Sequence, residues 1–255
     1  MQVVVLVKYV PEPNGTPTLG EDHRLVREGV DGSLDPGDEY AIEAALRLVD
    51  AEGGEVTLIS MGPEVAMGAI RKGLSMGATK GVLVTDDALR GADVLATATV
   101  LAAAVRREAF DLVVAGVEST DGYTGTMPTA VAELLEIGSA TFARSIEVRE
   151  GKLRVERQTE EGYDVVETPL PALATVTGSG AEPRYPTLKG IMGAKSKPVD
   201  QVSLADLEVA APAVAPTQRV TAVSDAPEKG PGEIVQAGAD AAEKVAALLA
   251  DAKVI

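Results

Sequence analysis

Asp111-Leu112-Val113-Val114-Ala115-Gly116, continuing directly into Val117-Glu118-Ser119-Thr120-Asp121-Gly122-Tyr123-Thr124-Gly125-Thr126-Met127-Pro128, decides the fold of this chain. The first part is a short apolar run, the pattern of a strand buried on both faces. The second is rich in glycine and hydroxyl side chains and leads into a helical segment over 125–135. Strand, glycine-rich turn and helix in that order make one βα unit, and the unit repeats upstream. Val3-Val4-Val5-Leu6-Val7 is another doubly buried strand. A helix is expected over 38–51, with Ala41, Ala44, Ala45 and Leu48 on its apolar face and Glu43 and Arg47 spaced to pair. A strand over 55–60 follows, then a helix carrying Met67, Ile70 and Leu74 that Gly77 stops, a strand over 81–85 and an alanine-rich helix over 92–110. Strands alternating with helices of this length mean a parallel sheet with right-handed crossovers.

The pattern changes after residue 138. Segments 142–148, 153–158 and 163–167 alternate around a Glu150-Gly151 turn and read as an antiparallel meander. Residues 173–177 form another buried strand, followed by an irregular stretch to Pro198. The fold class is therefore α/β: a parallel sheet with flanking helices, a small antiparallel β meander and a C-terminal arm. The division expected is 1–200 for the α/β domain and 201–255 for the arm. The arm opens on an Ala/Pro/Val-rich linker, 210–216, and ends in a helix over 240–253. That helix either returns to its own domain, frays, or lies on a partner subunit.

Composition narrows the function. The 255 residues hold 39 acidic and 23 basic side chains, a net charge of −16, which argues against nucleic acid and against an anionic membrane surface. There is no cysteine, so disulfides, iron–sulfur clusters, thiol catalysis and cysteinyl zinc sites are excluded. His23 is the one histidine and makes no triad or metal cluster. Aromatic residues are 3% of the chain, so the core must be aliphatic. No apolar run reaches the ~18–20 residues a bilayer-spanning helix needs, and the first strand begins at Gln2 with no leader before it. The expectation is a soluble, cytoplasmic protein with no direct membrane insertion.

Open α/β sheets bind ligands outside the carboxyl ends of their strands. Leu6 and Lys8 end the first strand, Asp35, Pro36, Gly37 and Asp38 open the first helix, and Met61 ends the second strand. Together with residues 116–127 they describe one crevice. Glycines there let backbone approach a ligand, and a helix start attracts phosphate. The same pattern also suits a plain βα loop, and Asp35 also reads as a simple helix cap. Neither GxGxxG nor GxxxxGK[ST] is present, so the devices that cleave nucleotides are not visible. The connection 8–34 is of a length that is usually functional or disordered. A second segment, Glu182-Pro183-Arg184-Tyr185-Pro186-Thr187-Leu188-Lys189-Gly190-Ile191-Met192-Gly193-Ala194-Lys195, brackets apolar residues with proline and glycine, the form of a partner anchor or of a loop tucked into its own core.

These segments, in this order, resemble the β subunit of electron transfer flavoproteins. The likeness rests on Val7-Lys8-Tyr9-Val10-Pro11, residues 38–47, Arg71-Lys72-Gly73-Leu74-Ser75-Met76-Gly77-Ala78, the 116–128 loop and Glu182-Pro183-Arg184-Tyr185-Pro186 with Ile191-Met192 beyond it. It implies an adenine nucleotide α-hydrolase-like fold and a heterodimer whose α subunit carries FAD. It implies a structural AMP in this chain, with the crevice residues above as its contacts, and an electron carrier subunit rather than an enzyme by itself. Electrons pass from acyl-CoA or other flavin dehydrogenases to a quinone oxidoreductase. Arg184, Tyr185, Leu188, Ile191 and Met192 fall on the family's dehydrogenase-recognition loop, 184–193, with Leu188 as anchor, and the terminal helix contacts the α subunit. Two other readings stay open: an electron-bifurcating relative with a second FAD in place of AMP, and a free-standing nucleotide sensor of the universal-stress type. Asp35 departs from the family's usual Asn. A carboxylate repels phosphate, which assigns Asp35 to the adenosine part or to solvent. Gln158 stands where some members place a Glu that pairs with the α subunit, and Gly193 and Ser196 stand where others have lysines.

Overall fold

The computed structural model describes residues 1–227, 230, 232 and 234–254. Its first unit, Met1–Val220, is built on a nine-stranded sheet. In chain order the elements are β1 (Gln2–Leu6), β2 (Tyr9–Pro11), β3 (Gly32–Leu34), α1 (Pro36–Glu52), β4 (Glu55–Met61), α2 (Met67–Met76), β5 (Lys80–Val84), α3 (Val94–Arg106), β6 (Leu112–Gly116) and α4 (Met127–Leu135). Then come β7 (Gly138–Arg149), β8 (Lys152–Gln158), β9 (Tyr163–Pro169), β10 (Ala172–Val176), α5 (Leu188–Ala194) and β11 (Val199–Val202). The sheet order is β11-β5-β4-β1-β6-β10-β7-β8-β9, parallel as far as β7 and antiparallel beyond it. The meander is thus an extension of the main sheet.

The apolar runs explain why both faces are covered. In β1 and the residue after it, Val3, Val5 and Val7 point into one core with Ile42 and Leu46 of α1 and Ile70 and Leu74 of α2. Val4 and Leu6 point into the other with Val100 and Leu101 of α3 and Val131 of α4. Side chains of a strand alternate between faces, so a continuous apolar strand needs a helix layer on each side.

The chain runs from β1 outward through β4 and β5, then returns to place β6 on the other side of β1. That reversal opens a crevice at the carboxyl ends of β1 and β6, where α/β sheets bind ligands.

Three stretches differ from the sequence expectation. The 8–34 connection is ordered by the β2–β3 pair, in which Tyr9 faces Leu34 and Pro11 faces Gly32. The stretch read as irregular before Pro198 contains α5. Thr187 accepts from the Gly190 N–H at 3.0 Å and so caps that helix. Beyond it, β11 adds a parallel edge strand to β5, and Leu204, Leu207 and Val214 are buried in the α3 core. Val214 belongs to a 3-10 turn, Ala211–Val214, within the segment read as an extended linker. These runs are too short to show a period.

The second unit, Thr221–Ile255, contains α6 (Ala241–Asp251), in which Lys244 pairs with Asp240. Among the described residues, no helix is long and apolar enough to cross a membrane.

Candidate functional site

Two buried carboxyl groups organise the crevice. Asp35 precedes α1 and is fully buried. Its Oδ1 accepts from the Gly37 N–H at 2.8 Å, which caps the helix. Its Oδ2 accepts from the Thr120 N–H at 2.7 Å and the Thr120 hydroxyl at 2.9 Å. Asp35 therefore does not face solvent, as its sequence position allowed; it fastens the start of α1 to the 116–127 loop. Asp38, one turn on, accepts from the Lys8 N–H at 2.7 Å. Burial, and then the charge of Asp35, push the Asp38 carboxyl well above its ordinary value, against the Lys8 and Gly116 N–H groups that favour its charged form. The packing leaves no room at Gly116, where a Cβ would lie 3.0 Å from Asp38 Oδ1 and 3.3 Å from the Gly37 carbonyl carbon.

Lys8 leaves β1 and crosses to the loop. Its Nζ donates to Asp121 Oδ1 at 2.7 Å and to Ser119 Oγ at 3.2 Å. Asp121 Oδ2 accepts from Arg27 Nε, also at 2.7 Å. Burial works to raise the Asp121 carboxyl, but Lys8 and Arg27 outweigh it and hold the group below the usual carboxylate range. The Ser119 carbonyl accepts from the Gly122 and Tyr123 N–H groups and folds the loop back on itself, with Tyr123 and Gly125 in the left-handed region at φ 47° and 66°. Val117 is half-buried, whereas Glu118, Gly122, Tyr123, Thr124 and Thr126 line the exposed rim. Thr126 precedes α4 without capping it, and Pro128 in the first turn of that helix carries no N–H.

The structure thus brings together Lys8, Asp35, Gly37, Asp38 and residues 116–127, as the sequence suggested. Leu6 lies in the α3/α4 core, with Met61 and Met127 packed partly against it, so these three are floor. Pro36 turns away to line a neighbouring open cavity of about 490 Å3, shared with Tyr9, Asn14, Ser33, Glu39 and Lys72. Arg27 went unread in the sequence, because nothing in its surroundings marks it; only the fold of the 8–34 connection brings it to Asp121.

The second candidate region is α5 and the chain before it. Tyr185, Leu188, Ile191 and Met192 are exposed, Leu188 at 75% and Tyr185 at 90%. Arg184 behaves differently. Its Nε donates to Glu43 Oε2 at 2.7 Å, its backbone N–H to the same oxygen at 3.1 Å, and its Nη2 to Asp50 at 2.9 Å. Burial works to raise Glu43, but Arg184 and Arg47 hold its carboxyl below the ordinary value. Glu43 reads in sequence only as the i,i+4 partner of Arg47, a pair that does form at 2.8 Å. Lys197 donates to the Leu74 and Ala78 carbonyls at the end of α2, and Arg71 reaches the Ala194 and Lys197 carbonyls. A Cβ at Gly190 would come 2.4 Å from the Ser75 carbonyl oxygen. Through these contacts α5 is seated firmly on α2 with its apolar side chains outward.

Comparison with known proteins supplies the family. The electron transfer flavoprotein domain matches residues 22–207. The chain belongs to the electron transfer flavoprotein family. It is 40% identical to the electron transfer flavoprotein subunit beta of Mycobacterium leprae, over 99% of each chain. It is 40% identical to that of Thermoanaerobacterium thermosaccharolyticum, over 82% of this chain and 81% of that protein. It is also 36% identical to the caffeyl-CoA reductase-Etf complex subunit CarD of Acetobacterium woodii, over 92% of each. The α/β fold with its parallel sheet agrees with membership, and the likeness to β subunits supports a β-subunit role in electron transport.

Proposed function

We propose that this chain is the β subunit of a heterodimeric electron transfer flavoprotein, that it holds a structural AMP, and that it supports an FAD-bearing α subunit. The observation that carries the nucleotide assignment is the crevice itself. Asp35 and Lys8 hold a glycine-rich loop in front of the uncapped start of α4, at the point where the strand order reverses. The residues fit a nucleotide monophosphate. Lys8 offers a positive charge, Ser119 and Thr124 offer hydroxyls, and backbone N–H groups at a helix start favour anions. The same residues offer no nucleophile or general base poised to cleave what they hold, so the bound nucleotide serves stability by mass action.

FAD on the α subunit would supply the redox chemistry. This chain's share is to form the docking surface for dehydrogenases, with Tyr185, Leu188, Ile191 and Met192 as apolar anchors and Arg184 as the residue that positions them. Exposed apolar residues on a rigid support lose little entropy on binding, which suits an anchor. The part of the expected 201–255 arm that lies beyond Val220, with its terminal helix, contacts the α subunit, and a quinone oxidoreductase takes the electrons. The complex works in the cytoplasm.

The test is a count of adenine nucleotides released by heat from the chain co-purified with its large subunit. One AMP and one FAD per heterodimer support the reading. Two FAD and no AMP would place a second flavin in this crevice and favour the bifurcating alternative. A homodimer that binds ATP and carries no flavin would overturn both.

A further inference from the structure

Asp121 lies beneath two cations. Its side chain is 3% exposed, while those of Lys8 and Arg27 are 40% and 45% exposed. Each carboxylate oxygen takes one of them at 2.7 Å. Asp121 thus brings Lys8 and Arg27 together on one loop, with the buried Asp38 carboxyl also close enough to Lys8 to feel its charge. In a chain of net charge −16, two cations sharing one carboxylate stand out. Arg27 spends only Nε on Asp121; among the described residues its two terminal nitrogens have no hydrogen-bond partner. Ser119 Oγ accepts from Lys8 Nζ at 3.2 Å, and the Ser119 and Thr124 hydroxyls both approach Gly122, 3.6 and 3.8 Å from where its Cβ would stand.

Arg27 is delivered by a strap that has its own anchors. Residues 18–26 fold into a small hairpin, with the Gly20 N–H donating to the Arg24 carbonyl and the Val26 N–H to the Thr18 carbonyl. Leu19 faces Leu25 across it. Arg24 donates to the Gly91 carbonyl at 3.0 Å, and Arg90 pairs with Glu28 at 2.9 Å. These two contacts tie the strap to the 87–91 turn, and Arg27 links it to the 116–127 loop.

We propose that Arg27, held by Asp121 beside Lys8, is a specificity-determining residue of the nucleotide crevice, selecting ligands that carry a phosphomonoester over the neutral nucleoside. The inference rests on the nucleotide reading above and adds to it a residue from outside the loops that frame the crevice. A planar guanidinium with two free nitrogens suits phosphate oxygens better than any other side chain, and Asp121 fixes its plane by holding Nε.

The experiment is equilibrium dialysis of the full-length chain and its Arg27→Gln and Arg27→Lys variants against AMP and against adenosine, at low and high salt. Wild type is expected to prefer AMP. Arg27→Gln should lose about tenfold in AMP affinity, the cost of one charge-assisted hydrogen-bond partner, while adenosine binding changes less than about twofold. Arg27→Lys should recover most of the loss, and the salt dependence of AMP binding should shrink in the glutamine variant. Equal losses for AMP and adenosine would reduce Arg27 to a structural pin and overturn the proposal, as would no loss at all. If wild type binds neither ligand, the nucleotide reading fails and this inference fails with it. Unchanged urea midpoints confirm that the variants keep the fold.

Discussion

Asp35→Ala removes the side chain that joins the start of α1 to the 116–127 loop. Three hydrogen bonds go with it: one from Gly37 at 2.8 Å and two from Thr120 at 2.7 and 2.9 Å. The lost helix cap costs about 1 kcal/mol. Each bond to a charged acceptor nets about 1.5–3 kcal/mol, so the two to Thr120 bring the sum to about 4–7 kcal/mol. Two effects offset part of this. Thr120 is only half-buried, so water reaches its freed N–H. Removing the charge of Asp35 also relieves Asp38, whose charged form it opposes. The expected loss is about 3–4 kcal/mol, a large share of the ~5–15 kcal/mol by which domains are stable. Equilibrium urea unfolding of the full-length chain measures it. Thr120→Val, which deletes only the hydroxyl bond, should cost about 1.5 kcal/mol alone and almost nothing in the Asp35→Ala background. A loss below about 1.5 kcal/mol for Asp35→Ala, or additive effects in the cycle, would refute the claim that this carboxylate fastens the loop.

Leu188→Ala should slow electron transfer from dehydrogenases in rapid-mixing experiments. It should leave flavin content unchanged and stability within about 0.5 kcal/mol, because the side chain is exposed; unaltered transfer kinetics would remove Leu188 as an anchor. Gly190→Ala should loosen α5, seen as faster amide exchange over 188–194 and about 1–3 kcal/mol lost, since its Cβ meets the Ser75 carbonyl, whereas Gly193→Ala meets nothing and should be neutral. Asp38 and Glu43 should move stability in opposite directions with pH. The folded-state value of Asp38 is raised, so the folded form binds the extra proton and stability falls as pH rises from the ordinary aspartate range; Asp38→Asn should flatten that decline. The folded-state value of Glu43 is lowered, so its contribution is complete above the ordinary glutamate range and is lost as pH falls through the folded value; Glu43→Gln should remove that acid-side loss, and identical urea profiles from about pH 3 to 8 would contradict both.

Much of the fold was legible because long apolar runs carry their own instruction. Val3–Val7 and Leu112–Ala115 are apolar at every position, and only a strand covered on both faces buries such a run. The alternation with helices then fixed a parallel sheet, and glycine with hydroxyl residues at a strand end marked the 116–127 loop. Short elements were not legible. β2, β3, β11 and α5 are held by partners distant in sequence: Tyr9 by Leu34, Val199 by Gly81, and the α5 segment by Arg71 and by the Glu43–Arg184 pair.

The sequence by itself determined the layers of this protein and the rim of the crevice, because hydrophobic period and glycine placement are local properties. Only the tertiary structure decided what each polar residue of the site does. Asp35 turned from a repulsive neighbour into a buried fastener, Arg184 from a surface contact into a strut, and Arg27 from an unmarked residue into a partner of Asp121. Charge and hydrogen-bonding capacity can be read from a side chain alone. Which partner satisfies them is settled by burial, and burial depends on contacts between segments as far apart as residues 27 and 121 or 43 and 184.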